Sequence, residues 1–139
     1  MKPVGILLVS TGNLATSFQA VIGELLGRPP FLKAVALKRE DHWEDALVKV
    51  RKGAESVDQG RGVLVLADIT GGTPFNVAQS LRADHDVEVI GGVNVPMVVK
   101  AVQISMEMEL AELATYIERY GRDHIDRGEP RRLGGPHGN

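Results

Sequence analysis

The fold is decided by Gly62-Val63-Leu64-Val65-Leu66-Ala67-Asp68-Ile69-Thr70-Gly71-Gly72-Thr73-Pro74. Val63–Ala67 is an unbroken aliphatic run, the pattern of a strand buried on both faces. Asp68 stops it, two glycines turn the chain, and Thr73-Pro74 reads as the N-cap and first position of a helix. A strand that turns straight into a helix is half of a βαβ unit, and such units imply a parallel sheet covered by helices.

The same alternation extends in both directions. Upstream, Val4–Val9 is a compact apolar run, and Leu14, Phe18, Val21, Ile22 and Leu25 then recur at helical spacing until Gly27 and Pro29-Pro30. Phe31–Leu37 reads as a second strand, where Lys33 and Lys38 suit a sheet edge. Trp43, Ala46, Leu47, Val50, Ala54 and Val57 form one face of a second helix, with Trp43, like Phe18, expected in the core. Downstream, the third helix runs to about Leu81 and Val87–Ile90 is a fourth strand. Asn94-Val95-Pro96 opens another helix. Met106, Leu110, Leu113, Ala114, Ile117 and Tyr120 mark a last one ending near Gly128, with Met106 and Met108 at a helix or dimer contact and Glu107, Glu109 and Glu112 on a solvated face. The expected fold is α/β and doubly wound: a mainly parallel sheet of four to five strands with helices on both faces. Residues 1–128 form one domain. Residues 129–139, with Leu133 their one large apolar residue, are expected to be a flexible or partner-exchanged tail.

Composition narrows the function. With 139 residues, 43% hydrophobic and 24% charged, the chain suits one globular domain. A net charge of −2 gives no electrostatic reason to bind nucleic acid or an anionic membrane. The absence of cysteine removes disulfides, thiol catalysis and iron–sulfur clusters. Val63–Ala67, the longest strictly apolar run, is far short of the roughly 20 residues of a membrane-spanning helix. No signal-peptide pattern opens the sequence, so a cytoplasmic location is expected.

In open parallel sheets ligands bind beyond the carboxyl ends of the strands. Here those ends lead into Ser10-Thr11-Gly12-Asn13, Asp68-Ile69-Thr70-Gly71-Gly72-Thr73 and Gly91-Gly92-Val93-Asn94. Small and hydroxyl residues entering helix N-termini make an anion-binding edge through backbone N–H groups. Such turns use glycine and capping residues whatever the function, so each loop alone says little. There is no phosphate-binding Gly-x-x-x-x-Gly-Lys-Ser/Thr loop, and Gly60-Arg61-Gly62 precedes its strand instead of following one, which argues against nucleotide kinases and dinucleotide oxidoreductases. His42, His85, His124 and His137 lack metal-ligand spacing, so neither a metal nor a cofactor is expected.

Val4-Gly5-Ile6-Leu7-Leu8-Val9-Ser10-Thr11-Gly12-Asn13-Leu14-Ala15, the run from Gly62 to Ala78, and Val87-Glu88-Val89-Ile90-Gly91-Gly92-Val93-Asn94-Val95-Pro96-Met97 together resemble one family. It is the mannose-type (mannose/fructose/sorbose) enzyme IIA domain of the bacterial phosphoenolpyruvate sugar phosphotransferase system, and the resemblance covers about residues 3–127. It implies a homodimer exchanging a C-terminal strand, and a phosphocarrier that takes its phosphoryl group from HPr and passes it to a IIB domain. In this family a histidine at the end of the first strand carries the group. The aspartate opening the third-strand loop orients that histidine. Nearby backbone groups and the Ser/Thr after the paired glycines bind the phosphoryl oxygens. Asp68, Gly71, Gly72 and Thr73 match, Ser10 and Gly12 flank the acceptor position, and Thr11 occupies it.

That residue changes the expected chemistry. Imidazole is both a competent nucleophile and a good leaving group near neutral pH, so phosphoryl transfer through it is reversible. A threonine hydroxyl is a weak nucleophile without an adjacent base, its ester does not readily pass the group on, and its side chain is short and stiff. One reading is therefore a degenerate, regulatory or binding form that keeps a dimer and a surface for an HPr-like protein, a IIB domain or a regulator, with a small anion held between Thr11, Gly12 and Thr73. The alternative is a working phosphocarrier, or the similar phosphotransfer subunit of dihydroxyacetone kinases, with Thr11 an introduced change. A third is an unrelated small-ligand binder of the same architecture. His42, on the carboxyl edge after the second strand, is the histidine placed to replace the missing one, although a solvated position beside Asp41 and Glu44 suits it better. Asp68 is expected to accept hydrogen bonds from the Thr11 hydroxyl, backbone N–H groups or water, because a carboxylate at a central strand end is costly to leave unpartnered.

Overall fold

The computed structural model describes residues 1–130. Strands β1 (Gly5–Thr11), β2 (Leu32–Leu37), β3 (Val63–Ala67) and β4 (Val87–Gly91) alternate with helices α1 (Leu14–Leu26), α2 (Trp43–Val57), α3 (Thr73–Ser80), α4 (Val95–Gln103) and α5 (Leu110–Asp123), and a 3₁₀ turn over Leu81–Ala83 follows α3. The strands form a wholly parallel sheet in the order β2-β1-β3-β4. The chain moves outward from β1 to β2, then crosses back to place β3 on the other flank of β1. The carboxyl ends of β1 and β3 thus meet at the point of reversal, where sheets of this kind open a crevice.

The period-two alternation of β1 and β3 builds two cores. Ile6, Leu8, Leu64 and Leu66 face one side, packed with Ile22, Val98, Leu113 and Ile117. Leu7, Val9, Val63 and Val65 face the other, packed with Val50, Ala54, Val57 and Val77. Lys33 lies exposed on β2, which is an edge strand as its lysine implied.

Several local expectations are corrected. Trp43 is 45% exposed, although Ala46, Val50, Ala54 and Val57 of the same helix are buried. It is the first residue of α2, one turn before the buried face that begins at Ala46. Phe18 does pack against the first core, partly buried. Thr73 is the first residue of α3, not its cap; Gly72 holds the cap position in an extended conformation. Met106 lies before α5 and is half exposed, while Met108 packs against the first core. The cause is Arg61, whose guanidinium donates to the carbonyls of Met106 (3.2 Å) and Met108 (2.7 Å), and also to that of Lys2 (2.8 Å). These bonds hold the segment as a turn that ties the start of the chain to the entry of α5. The helix also stops at Asp123, five residues short of Gly128, where the His124 ring bonds the Tyr120 carbonyl at 2.8 Å. Apart from residues 129 and 130, the expected tail lies outside the described residues, as does His137.

Candidate functional site

The end of β1 and the loop after β3 are joined through one carboxylate. Asp68 Oδ2 accepts the Thr11 N–H at 3.1 Å and Asp68 Oδ1 accepts the Ile69 N–H at 2.8 Å. Asp68 is half-buried, so both oxygens being occupied fixes the side chain and offsets its desolvation. Of the three kinds of donor expected, backbone N–H groups hold it. The loop then turns through Gly71, whose φ of +82° is left-handed backbone that glycine adopts without strain, and the Asn76 side chain donates to the Gly71 carbonyl at 3.0 Å. Among the described residues no side chain caps α3, which leaves the N–H groups of its first turn without a side-chain acceptor.

Ser10 is buried, and its hydroxyl is engaged at both ends: it donates to the Gly12 carbonyl at 2.9 Å and accepts the Ala15 N–H at 2.8 Å. Its single proton is used inside the turn, so Ser10 shapes the loop and has no O–H left for an anion. Gly12, with φ +75°, carries the chain over the sheet edge and donates its N–H to Leu37 O at 2.8 Å. Thr11 is exposed at the end of the strand. Thr11 and Thr73 line one small cavity of about 110 Å³ together with Leu37, Lys38, Arg39, Asp41 and Ala46. Lys38 and Arg39 were not singled out for this site from the sequence. The signal was the parallel pairing of Thr11 with Leu37, which sets the next two residues of the β2–α2 loop beside the end of β1.

The third loop serves packing. The Asn94 carbonyl oxygen accepts the Met97 N–H at 3.0 Å, capping α4, and its amide donates to Gly121 O on α5 at 3.1 Å. A Cβ on Gly121 would collide with Met97. The Asn-x-Pro-Met stretch is thereby accounted for as the seam between α4 and α5.

The histidines among the described residues do not converge on this site. His42 is the exposed N-cap residue of α2, and no hydrogen bond links it to Asp68. Among the described residues no group of three or more histidines, cysteines or carboxylates is placed to hold a metal ion. His85 lies just before β4, at the amino-terminal end of the sheet, where its ring nitrogens meet Glu55 at 2.9 Å and Asp84 at 2.7 Å. Those carboxylates, Glu55 first, raise the His85 pKa above its ordinary 6.5, and His85 in turn lowers that of Asp84, which Arg51 also approaches at 3.8 Å. A raised folded-state pKa means that the folded chain binds this proton more tightly. The stabilisation is complete below the unfolded pKa and is lost as pH rises through the folded one. The urea midpoint is accordingly expected to fall from about pH 6 to pH 8, and the fall to flatten in His85→Gln.

Comparison with known proteins bears on what this edge is for. Residues 5–118 match the family model EIIA-man, described as "PTS system fructose IIA component". The chain belongs to that family. This EIIA-type component of the mannose family is 24% identical over 111 residues to the PTS system fructose-specific EIIA component of Bacillus subtilis (strain 168), a match covering 79% of this chain and 76% of the relative. It is 30% identical over 100 residues to the PTS system mannose-specific EIIAB component of Escherichia coli (strain K12), covering 71% of this chain but only 31% of that longer protein. Among solved structures, the mannose/sorbose specific IIA subunit of the phosphotransferase system from Enterococcus faecalis superposes with a TM-score of 0.81 at 28% identity, covering 93% of this chain and 96% of that one. The α/β fold argued from the sequence is the fold of that IIA subunit. No helix among the described residues is long and apolar enough to cross a membrane.

Proposed function

We propose that this EIIA-type component is a degenerate form, a binding or regulatory module that does not relay phosphate through the usual histidine. The observation that carries the reading is Thr11 at the end of β1, beside an Asp68 carboxylate bonded by the N–H groups of Thr11 and Ile69, with no histidine among the described residues bonded to it. In this reading Thr11 and Asp68 hold the places of the family's acceptor and its orienting carboxylate. Gly12, Gly71, Gly72 and Thr73 keep the anion-facing edge, and Ser10 shapes the turn. An HPr-like protein, a IIB domain or a regulator docks there, and residues 1–128 are the working unit of a cytoplasmic homodimer. In support of the dimer, the outer edge of β4 is unpaired among the described residues, and a groove of about 420 Å³ bordered by Gly91, Phe75 and Ile125 runs beside it.

The test is incubation of the protein with phosphoenolpyruvate, enzyme I and HPr, followed by intact mass at neutral and acidic pH. No phosphate on the protein is expected. An acid-labile phosphate would overturn the reading in favour of a working carrier using another histidine. An acid-stable one would point to Thr11.

A further inference from the structure

The chain has cationic side chains at the Thr11 cavity that a covalent relay does not require. The β2–α2 loop leaves the sheet immediately after Leu37, the register partner of Thr11, and the bond from Gly12 N–H to Leu37 O closes the two chains together. Lys38 and Arg39 therefore border the same cavity as Thr11 and Thr73. Neither forms a salt bridge among the described residues, whereas the one carboxylate in the cavity wall is already compensated. Asp41 receives Lys49 Nζ at 2.9 Å and the Lys38 N–H at 2.9 Å, and the Lys49 bond, followed by that N–H, holds its carboxyl below the usual range. Lys38 also acts on Asp41 by its charge, and the Asp68 carboxylate lies close by, bonded to the Thr11 N–H, so Lys38, Arg39 and Lys49 set against Asp41 and Asp68 leave one net positive charge. That charge and two threonine hydroxyls surround about 110 Å³, below the roughly 300 Å³ at which pockets for drug-sized ligands begin.

We propose that this cavity binds a phosphate group non-covalently, with Lys38 and Arg39 supplying the charge and Thr11 and Thr73 the hydrogen bonds. The inference rests on the reading of the protein as a binding module and deepens it by naming the ligand chemistry. No bond to phosphorus forms or breaks. The group is held as an intact dianion, either free phosphate or the head of a small phosphorylated molecule whose remainder extends into solvent. Threonine suits this role: its hydroxyl donates a hydrogen bond to an oxyanion and, with no adjacent base, does not attack phosphorus.

The experiment is a titration of the ¹⁵N-labelled protein, followed by amide chemical shifts, with inorganic phosphate, with a hexose 6-phosphate and with sodium chloride at matched ionic strength. Saturable shifts confined to 11–13, 37–39 and 71–73 are expected with phosphate and not with chloride. Lys38→Gln/Arg39→Gln is expected to weaken the binding about tenfold or more, as the loss of charged hydrogen bonds implies. Both residues are exposed, and a dispersed spectrum of the ligand-free variant confirms that it is folded. Tighter binding of the hexose phosphate would assign the site to a phosphorylated metabolite, and equal or weaker binding to free phosphate. Shifts that do not saturate, that scatter over the surface, or that persist unchanged in the double variant would overturn the proposal. The titration uses unphosphorylated protein and no transferase, so its failure leaves the mass test of the relay independent, and the converse holds.

Discussion

Thr11→His is expected to convert a protein that takes up no phosphate into one that takes up a full equivalent. Incubated with phosphoenolpyruvate, enzyme I and HPr, the variant should gain one phosphoryl group that is stable at neutral pH and lost in acid, while the wild-type chain gains none. The substitution falls at an exposed strand end, so the larger ring has room. The Asp68 carboxylate is already aimed at this position, because Oδ2 holds the backbone N–H of residue 11 itself and Oδ1 is steadied by Ile69. An imidazole there would find a carboxylate able to select its tautomer and support the cationic form. Its nitrogen would attack phosphorus as the bond to the donor histidine of HPr breaks, and the reverse step would pass the group on. Adding Asp68→Asn to Thr11→His keeps the shape and removes the charge, and should slow labelling by about a hundredfold. If the Thr11→His protein stays unlabelled, the docking surface for HPr has been lost along with the histidine, and the binding reading must look to a different partner.

The sequence made the scaffold legible because the scaffold depends on periodicity. Val63–Ala67, and Val4–Val9 apart from Gly5, are aliphatic because both faces of a central parallel strand are covered, and Lys33 marked the edge because only an edge strand leaves such a residue a route to water. The misread details depend on contacts distant in sequence. Trp43 has the right spacing for the core face of α2, but nothing in that spacing says that the buried face begins only at Ala46. Met106 continues the apolar pattern of α5 until Arg61, 45 residues earlier, takes its carbonyl. At the site, Thr11, Asp68 and the paired glycines were visible as motif residues. Asp68 was expected to find partners, yet which donors it uses follows from the way β1 and β3 place two backbone N–H groups around it. Ser10 looked like an anion ligand, and only the turn geometry shows its proton to be committed to Gly12. Lys38 reads from sequence as an edge lysine. Its position beside Thr11 comes from strand register, which a single sequence does not display.

Register also explains why one glycine is expected to govern both stability and site geometry. Gly91 closes β4 opposite Ala67, and the chain after it is fastened to the end of β3 by Gly92 N–H to Asp68 O and Val93 N–H to Ala67 O, both 3.1 Å. This brings the loop after β3 down onto Gly91. A Cβ there would collide with the Thr70 hydroxyl and lie 2.6 Å from Thr70 Cα and 2.7 Å from Thr70 N. The obstruction includes backbone, so no side-chain rotation relieves it. Gly91→Ala must move the loop or the strand end, at an expected cost of about 2–3 kcal/mol, read as a lower urea midpoint at unchanged slope. The strain has a definite route to the site. Thr70 is two residues from Asp68, and Gly72 N–H to Ile69 O at 3.1 Å keeps the loop compact, so a displaced Thr70 carries the Asp68 carboxylate away from Thr11. Combined with Thr11→His, Gly91→Ala should therefore lower phosphoryl uptake even at temperatures where the protein remains folded. Gly128→Ala is the matched control: it is exposed, a Cβ there meets nothing within 4 Å, and its effect should stay within about 0.5 kcal/mol. If Gly91→Ala proves as mild as that control, the loop after β3 has freedom to shift that its hydrogen bonds do not suggest, and the alignment of Asp68 with the end of β1 would rest on the bonds to Thr11 N–H and Val9 O without help from the packing of Thr70 on Gly91.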